Sequence, residues 1–115
     1  MINIAWTILL TAVAMVESGE NINAYNQGEN AIGLLQIRQP AVDDLNRLWK
    51  TSYKLTDFYD PILAQRAFKS YGKMYGAKTA KEYCVIWNGG PRGCEKKTTE
   101  TYWVKVQQAI KELEK

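Results

Sequence analysis

Thirteen positions from Ile4 to Val16, apolar but for two threonines, run straight into Glu17-Ser18-Gly19. The run is too short to span a bilayer. No Lys or Arg precedes it, so it lacks the basic start of a secretory signal. Asn3 is suited to cap the start of a helix and Gly19 to stop one. The segment therefore reads as the central core helix of the domain, with Glu17 on its last turn. A carboxylate placed directly after such a run is carried toward the interior, and burial disfavours its charged form and raises its pKa. A raised pKa suits a general acid; the competing reading is a solvated carboxylate at a helix end.

With 115 residues the chain has room for one domain, over residues 1–115, and one core. The chemistry open to it is narrowed by the absence of histidine, which removes a Ser-His-Asp triad, a Cys-His pair and imidazole metal ligands. Two cysteines, Cys84 and Cys94, do not make a four-thiolate zinc site, and no GxxxxGK[ST] or GxGxxG run offers a phosphate loop. Neither a metal nor an organic cofactor is expected, and acid/base work falls to carboxylates. Fifteen Lys and Arg against twelve Asp and Glu give a net charge of +3, which favours anionic polymers without identifying one. The cations are scattered, Lys96-Lys97 being the one adjacent pair, and nucleic acid is not an expected partner.

Further helices are marked by their start and stop signals. Glu20 to Asn30 is polar and reads as an irregular loop, followed by a compact apolar segment from Ala31 to Ile37. Pro40 starts a helix through Trp49, and Asp60-Pro61 starts another, with Leu63, Ala67, Tyr71 and Met74/Tyr75 on one face and Gly76 as its stop. Thr79-x-x-Glu82 is a capping box for a helix through about Trp87. Tyr102, Trp103, Val106, Ala109, Ile110 and Leu113 form a last helical stripe. No segment alternates convincingly as a strand, so the fold class is mainly α.

Taken in order, Glu17-Ser18, Gly33-Leu34-Leu35-Gln36-Ile37, Trp87-Asn88-Gly89-Gly90-Pro91 and Tyr102 resemble the motifs of the lysozyme-like lytic transglycosylase (SLT) family, over nearly the whole chain. The family pattern is Glu-Ser, Gly-Leu-Met-Gln, Ala-Tyr-Asn-Gly-Gly-Pro and a late Tyr. Two departures stand out: Leu35 for Met, which conserves volume, and Ile86-Trp87 for Ala-Tyr, which loses a phenol and gains a larger ring.

The resemblance implies a small lysozyme-like helical domain with a substrate cleft. Its activity would be cleavage of the β-1,4 bond between N-acetylmuramic acid and N-acetylglucosamine in peptidoglycan, outside the cytoplasm, by a monomer without a membrane span. It implies Glu17 as the sole catalytic acid/base, Ser18 beside it, Gln36 and Asn88 along the sugar cleft, and Tyr102 against the catalytic carboxyl. Gly33 and Gly89-Gly90 would let glycan approach the backbone, or act as turn residues. Trp87 would line the cleft as a sugar platform or belong to the core. Periodicity does not decide between Tyr102 and Trp103 as the residue facing the carboxyl.

Glu29 is the nearby competitor in sequence that could come near Glu17 in the fold, as a second catalytic group or as a structural residue that pairs with an arginine or caps the following helix. Glycosidases that use water keep two carboxyls about 5 to 9.5 Å apart, according to stereochemistry. A transglycosylase closes a 1,6-anhydro ring with the sugar's own 6-hydroxyl and needs one. Because Glu29 lies in a polar loop where it would be loosely held, ring closure is the expected outcome. The alternatives are a hydrolytic muramidase using Glu17 and a second carboxylate such as Glu29, and a non-catalytic wall-binding subunit. Cys84 and Cys94 flank the Trp87–Pro91 motif; a bridge there would contribute about 2.5 to 3 kcal/mol, and two free thiols, one buried and one at the surface, are the alternative.

Overall fold

The structure, a computed structural model, describes residues 4–115. Asn3, the expected cap of the first helix, lies outside them. Helix α1 spans Trp6–Ser18 with Ala5 in extended backbone before it. It ends as expected: Gly19 adopts φ +63°, its N–H donates to Met15 O at 3.1 Å, and the Glu20 N–H reaches back to Ala14 O at 3.1 Å.

The polar loop folds into a minimal antiparallel hairpin, β1 (Tyr25–Asn26) against β2 (Ala31–Ile32), pairing Tyr25 with Ile32 and Asn26 with Ala31. Two residues per strand are too few to show alternation, which is why this element is absent from the sequence reading. Ile32 and Ile37 then exchange backbone hydrogen bonds at 3.0 Å and close the Gly33–Gln36 turn on itself.

Helices α2 (Gln39–Trp49), α3 (Pro61–Met74), α4 (Ala80–Gly89) and α5 (Thr98–Leu113) follow, with single 3₁₀ segments at Leu55–Tyr59 and Gly93–Glu95. Their starts obey the signals in the sequence. Asp60 Oδ1 accepts from Ile62 N at 2.9 Å, and the Thr79/Glu82 capping box closes with Glu82 N donating to Thr79 Oγ1 at 3.1 Å.

The core corrects the expected central role of α1. That helix packs mainly on α5, while α4 lies between α3 and α5 and buries Ala80, Tyr83, Cys84, Val85, Ile86 and Trp87. Close packing explains two glycines on this axis: a side chain on Gly72 would run into the Tyr83 ring, and one on Gly93 into the Val85 carbonyl. Phe58, Phe68, Leu9, Leu35 and Val106 complete the interior. No helix among the described residues is long and apolar enough to cross a membrane.

Candidate active site

The end of α1 is tied to the Gly33–Gln36 turn by Ser18. Its Oγ donates to Leu34 O at 2.7 Å and accepts from Asn21 N at 3.1 Å. Ser18 thus supports Glu17 by holding the helix end that presents it.

Glu17 meets α5 from the other side, where the Tyr102 hydroxyl donates to Glu17 Oε2 at 2.8 Å. The open register question is thereby answered. Tyr102 faces the carboxyl, and Trp103 turns to a surface groove beside Ile4, Ala80 and Ile110. Burial pushes the Glu17 carboxyl from 4.5 up to about 7; the Tyr102 hydrogen bond and the charge of Arg38 restrain the rise, and the charge of Glu29 adds to it. The Tyr102 phenol itself is held well above its usual range by burial and the neighbouring carboxylate, so it remains a donor. A carboxyl half-protonated near neutrality, with a fixed rotamer, is the arrangement a general acid needs.

Glu29 sits on the hairpin turn, its N–H bound to Asn26 Oδ1 at 3.3 Å, and pairs with Arg38 at 3.5 Å. The same guanidinium donates to Asn88 O at 3.2 Å. Arg38 thus links the hairpin to the end of α4, and it is a residue the sequence reading did not single out. Its only signal is its place immediately before the Gln39-Pro40 start of α2, two residues after Gln36.

Gln36 holds a left-handed backbone at φ +55°, unusual for a residue with a side chain. Its Nε2 donates to Gly33 O at 3.0 Å and Ala24 O at 3.4 Å, so the side chain secures its own strained turn. Such strain concentrates at functional sites. Gln36, Arg38, Trp87 and Asn88 border a cavity of about 250 Å³.

Trp87 borders that cavity and is also core. It is 8% exposed, packs against Phe68 and Tyr71, and donates from Nε1 to Leu35 O at 2.8 Å. Its indole therefore fastens α4 to the Gly33–Ile37 segment. The glycines of the motifs answer first to chain packing rather than to glycan: a Cβ on Gly33 would lie 2.7 Å from Phe58 O, and one on Gly89 2.7 Å from Thr99 Cγ2. Gly90 has open space around it, and its φ of +84° is what requires glycine there. Cys84 is buried and Cys94 exposed, both as free thiols. Among the described residues no group of three or more Cys, Asp or Glu is placed to hold a metal ion.

The chain matches the transglycosylase SLT domain family over residues 3–110. It belongs to that family. Similar proteins include a lysozyme of Meretrix lusoria, 30% identical over 105 residues that cover 86% of this chain and 85% of the relative. A lysozyme of Ostrea edulis is 36% identical over 76 residues, 62% of this chain, which spans about half of that relative (54%). A chain in the crystal structure of Aeromonas hydrophila PliI in complex with Meretrix lusoria lysozyme superposes with a TM-score of 0.70 at 26% identity, covering 88% of this chain and 87% of that one. This SLT domain is thus a peptidoglycan lytic transglycosylase or muramidase with a lysozyme-like helical fold.

Proposed function

We propose that this SLT domain hydrolyses the β-1,4 bond between N-acetylmuramic acid and N-acetylglucosamine, acting outside the cytoplasm where peptidoglycan lies. The observation that carries the acid is Glu17, buried enough to hold its proton near pH 7 and oriented by Tyr102 at 2.8 Å. Glu17 gives its proton to the glycosidic oxygen as the bond to the muramic acid C1 breaks. Positive charge develops at that carbon, and a carboxylate opposite the acid lowers its energy or takes the proton of the attacking water.

Glu29 is our choice for this second group. Its carboxylate meets Arg38, whose guanidinium also reaches Asn88 O, so Glu29 has a partner that borders the cavity. The relatives named lysozyme support the same reading.

The second reading is ring closure by the sugar's 6-hydroxyl. It is favoured by the SLT match and by the buried Glu17, a single carboxyl being enough for ring closure. Mass spectrometry of fragments released from purified sacculi separates the two. Hydrolysis yields reducing ends that borohydride converts, and Glu29→Gln then cuts turnover by about 10²-fold or more, the usual scale for a lost acid/base group. Products ending in 1,6-anhydromuramic acid, formed equally well by Glu29→Gln, establish ring closure instead.

A further inference from the structure

The cavity beyond Arg38 has an uneven lining. Two cations, Arg38 and Lys96, border it together with Tyr71, Trp87 and Pro91, and no Asp or Glu does. Lys96 Nζ is held by a single backbone acceptor, Gly89 O at 2.7 Å, and makes no ion pair among the described residues. Arg38 likewise donates to a backbone carbonyl, Asn88 O, and its one carboxylate contact is the exposed pair with Glu29. The Gly89 carbonyl therefore holds the Lys96 charge in place without neutralising it, while Arg38 shares its charge with Glu29. Tyr71, whose phenol burial and the charge of Asp44 push up to about 12, stays a neutral donor on the same wall.

At about 250 Å³ the space lies below the roughly 300 to 1,000 Å³ of sites that enclose a drug-sized ligand. It suits one compact group. A lining that carries an ammonium without an ion pair, a guanidinium and a phenol donor, and no carboxylate of its own, calls for an anion, and a polar group that enters such a site without pairing carries a desolvation cost.

We infer that this cavity receives a carboxylate of the peptide arm carried by muramic acid, with Lys96 as its specificity-determining contact and Arg38 beside it. The inference rests on the proposed substrate. The uncharged sugar ring gives no reason for an unpaired ammonium at this place, whereas a peptide-bearing muramic acid supplies the missing negative charge. The lysine sits at a solvent-exposed rim, so its pairing discriminates modestly, by about three- to fivefold, and weakens with salt.

The test is a titration of the intact protein with muramyl dipeptide, N-acetylmuramic acid bearing Ala-Glu with free carboxylates, against the same compound with both carboxylates amidated. Kd is read from backbone amide shifts. The expected result is about three- to fivefold weaker binding of the amidated compound by the wild type, with shifts centred on Asn88, Gly89 and Lys96. The preference is expected to shrink toward one in Lys96→Met and to be retained in Lys96→Arg. Equal binding of the two compounds by the wild type, or a preference left intact in Lys96→Met, overturns the inference. Binding is read without turnover, so loss of the proposed cleavage in the sacculus assay strikes at Glu17 and Glu29 and leaves this result standing on its own.

Discussion

The hydroxyl of Tyr102, on the last helix, donates to Oε2 of Glu17, on the first, at 2.8 Å across 85 residues of chain. Two effects of opposite sign meet at this contact. Burial favours the protonated carboxyl, while the phenol hydrogen bond favours the carboxylate, and burial prevails because the carboxyl ends near 7. Tyr102→Phe removes the restraining effect and keeps the ring. The alkaline limb of the activity profile is expected to move upward, turnover to fall because the acid loses its fixed rotamer, and stability to drop by about 1 kcal/mol. Trp103→Phe, on the groove side, is expected to lower stability without moving the limb. Paired pH–rate profiles and thermal melts check both.

Glu17→Gln is expected to reduce wall cleavage by about 10² to 10⁴, since the amide keeps the shape but carries no transferable proton. The same substitution has a stability signature with a defined sign. The folded carboxyl titrates near 7 and the unfolded one near 4.5, so between these values the folded state binds more protons. The contribution is fully present below pH 4.5 and is lost as pH rises through about 7. At roughly 1.4 kcal/mol per pH unit, the wild type gives up as much as about 3 kcal/mol between these limits. Glu17→Gln is spared that loss, so its melting temperature relative to the wild type should rise between pH 4 and pH 8. A flat difference across that range contradicts a buried, raised Glu17.

What the sequence disclosed follows from the range of the interactions involved. Caps such as Asp60 and the Thr79/Glu82 box act over three residues and are legible as letters, and the structure forms them. The Glu17–Tyr102 contact was foreseen through the resemblance alone, because helical periodicity leaves Tyr102 and Trp103 on adjacent faces. The hairpin stayed hidden because each strand is two residues long. Arg38 stayed hidden because its partners, Glu29 and Asn88, lie 9 and 50 positions away, and no local pattern encodes such a link. Gly33 and Gly89 were legible as glycines, but the neighbours that demand them, Phe58 and Thr99, come from other elements.

Gly33→Ala tests that last distinction. At φ +80° an alanine is strained, and its Cβ would stand 2.7 Å from Phe58 O, a backbone atom that cannot swing away. The expected cost is about 1 to 3 kcal/mol, seen as a lower denaturation midpoint at unchanged slope. Were glycan approach the reason for this glycine, stability would be spared and substrate KM alone would rise.

The two cysteines allow a prediction that reads the packing of α4 directly. Cys84 is fully buried near Glu17, where desolvation and the charge of Glu17 hold its thiol far above the ordinary range. Cys94 lies exposed on the 3₁₀ turn. The thiolate is the reactive form, so Cys84 is shielded both by lack of access and by its raised thiol, whereas Cys94 is open to reagent. Native protein is expected to take up one equivalent of a thiol reagent quickly, at Cys94, and the second only as fast as the domain opens. Full unfolding in denaturant should release both at similar rates. Opening exposes Cys84 only if α4 leaves its place between α3 and α5, so the slow phase reports the stability of the wall that carries Trp87 and Asn88. Trp87→Phe deletes the indole bond to Leu35 O and is expected to accelerate that phase while leaving Cys94 unaffected. Two equivalents taken up at once by the native wild type would mean that α4 is not enclosed between α3 and α5.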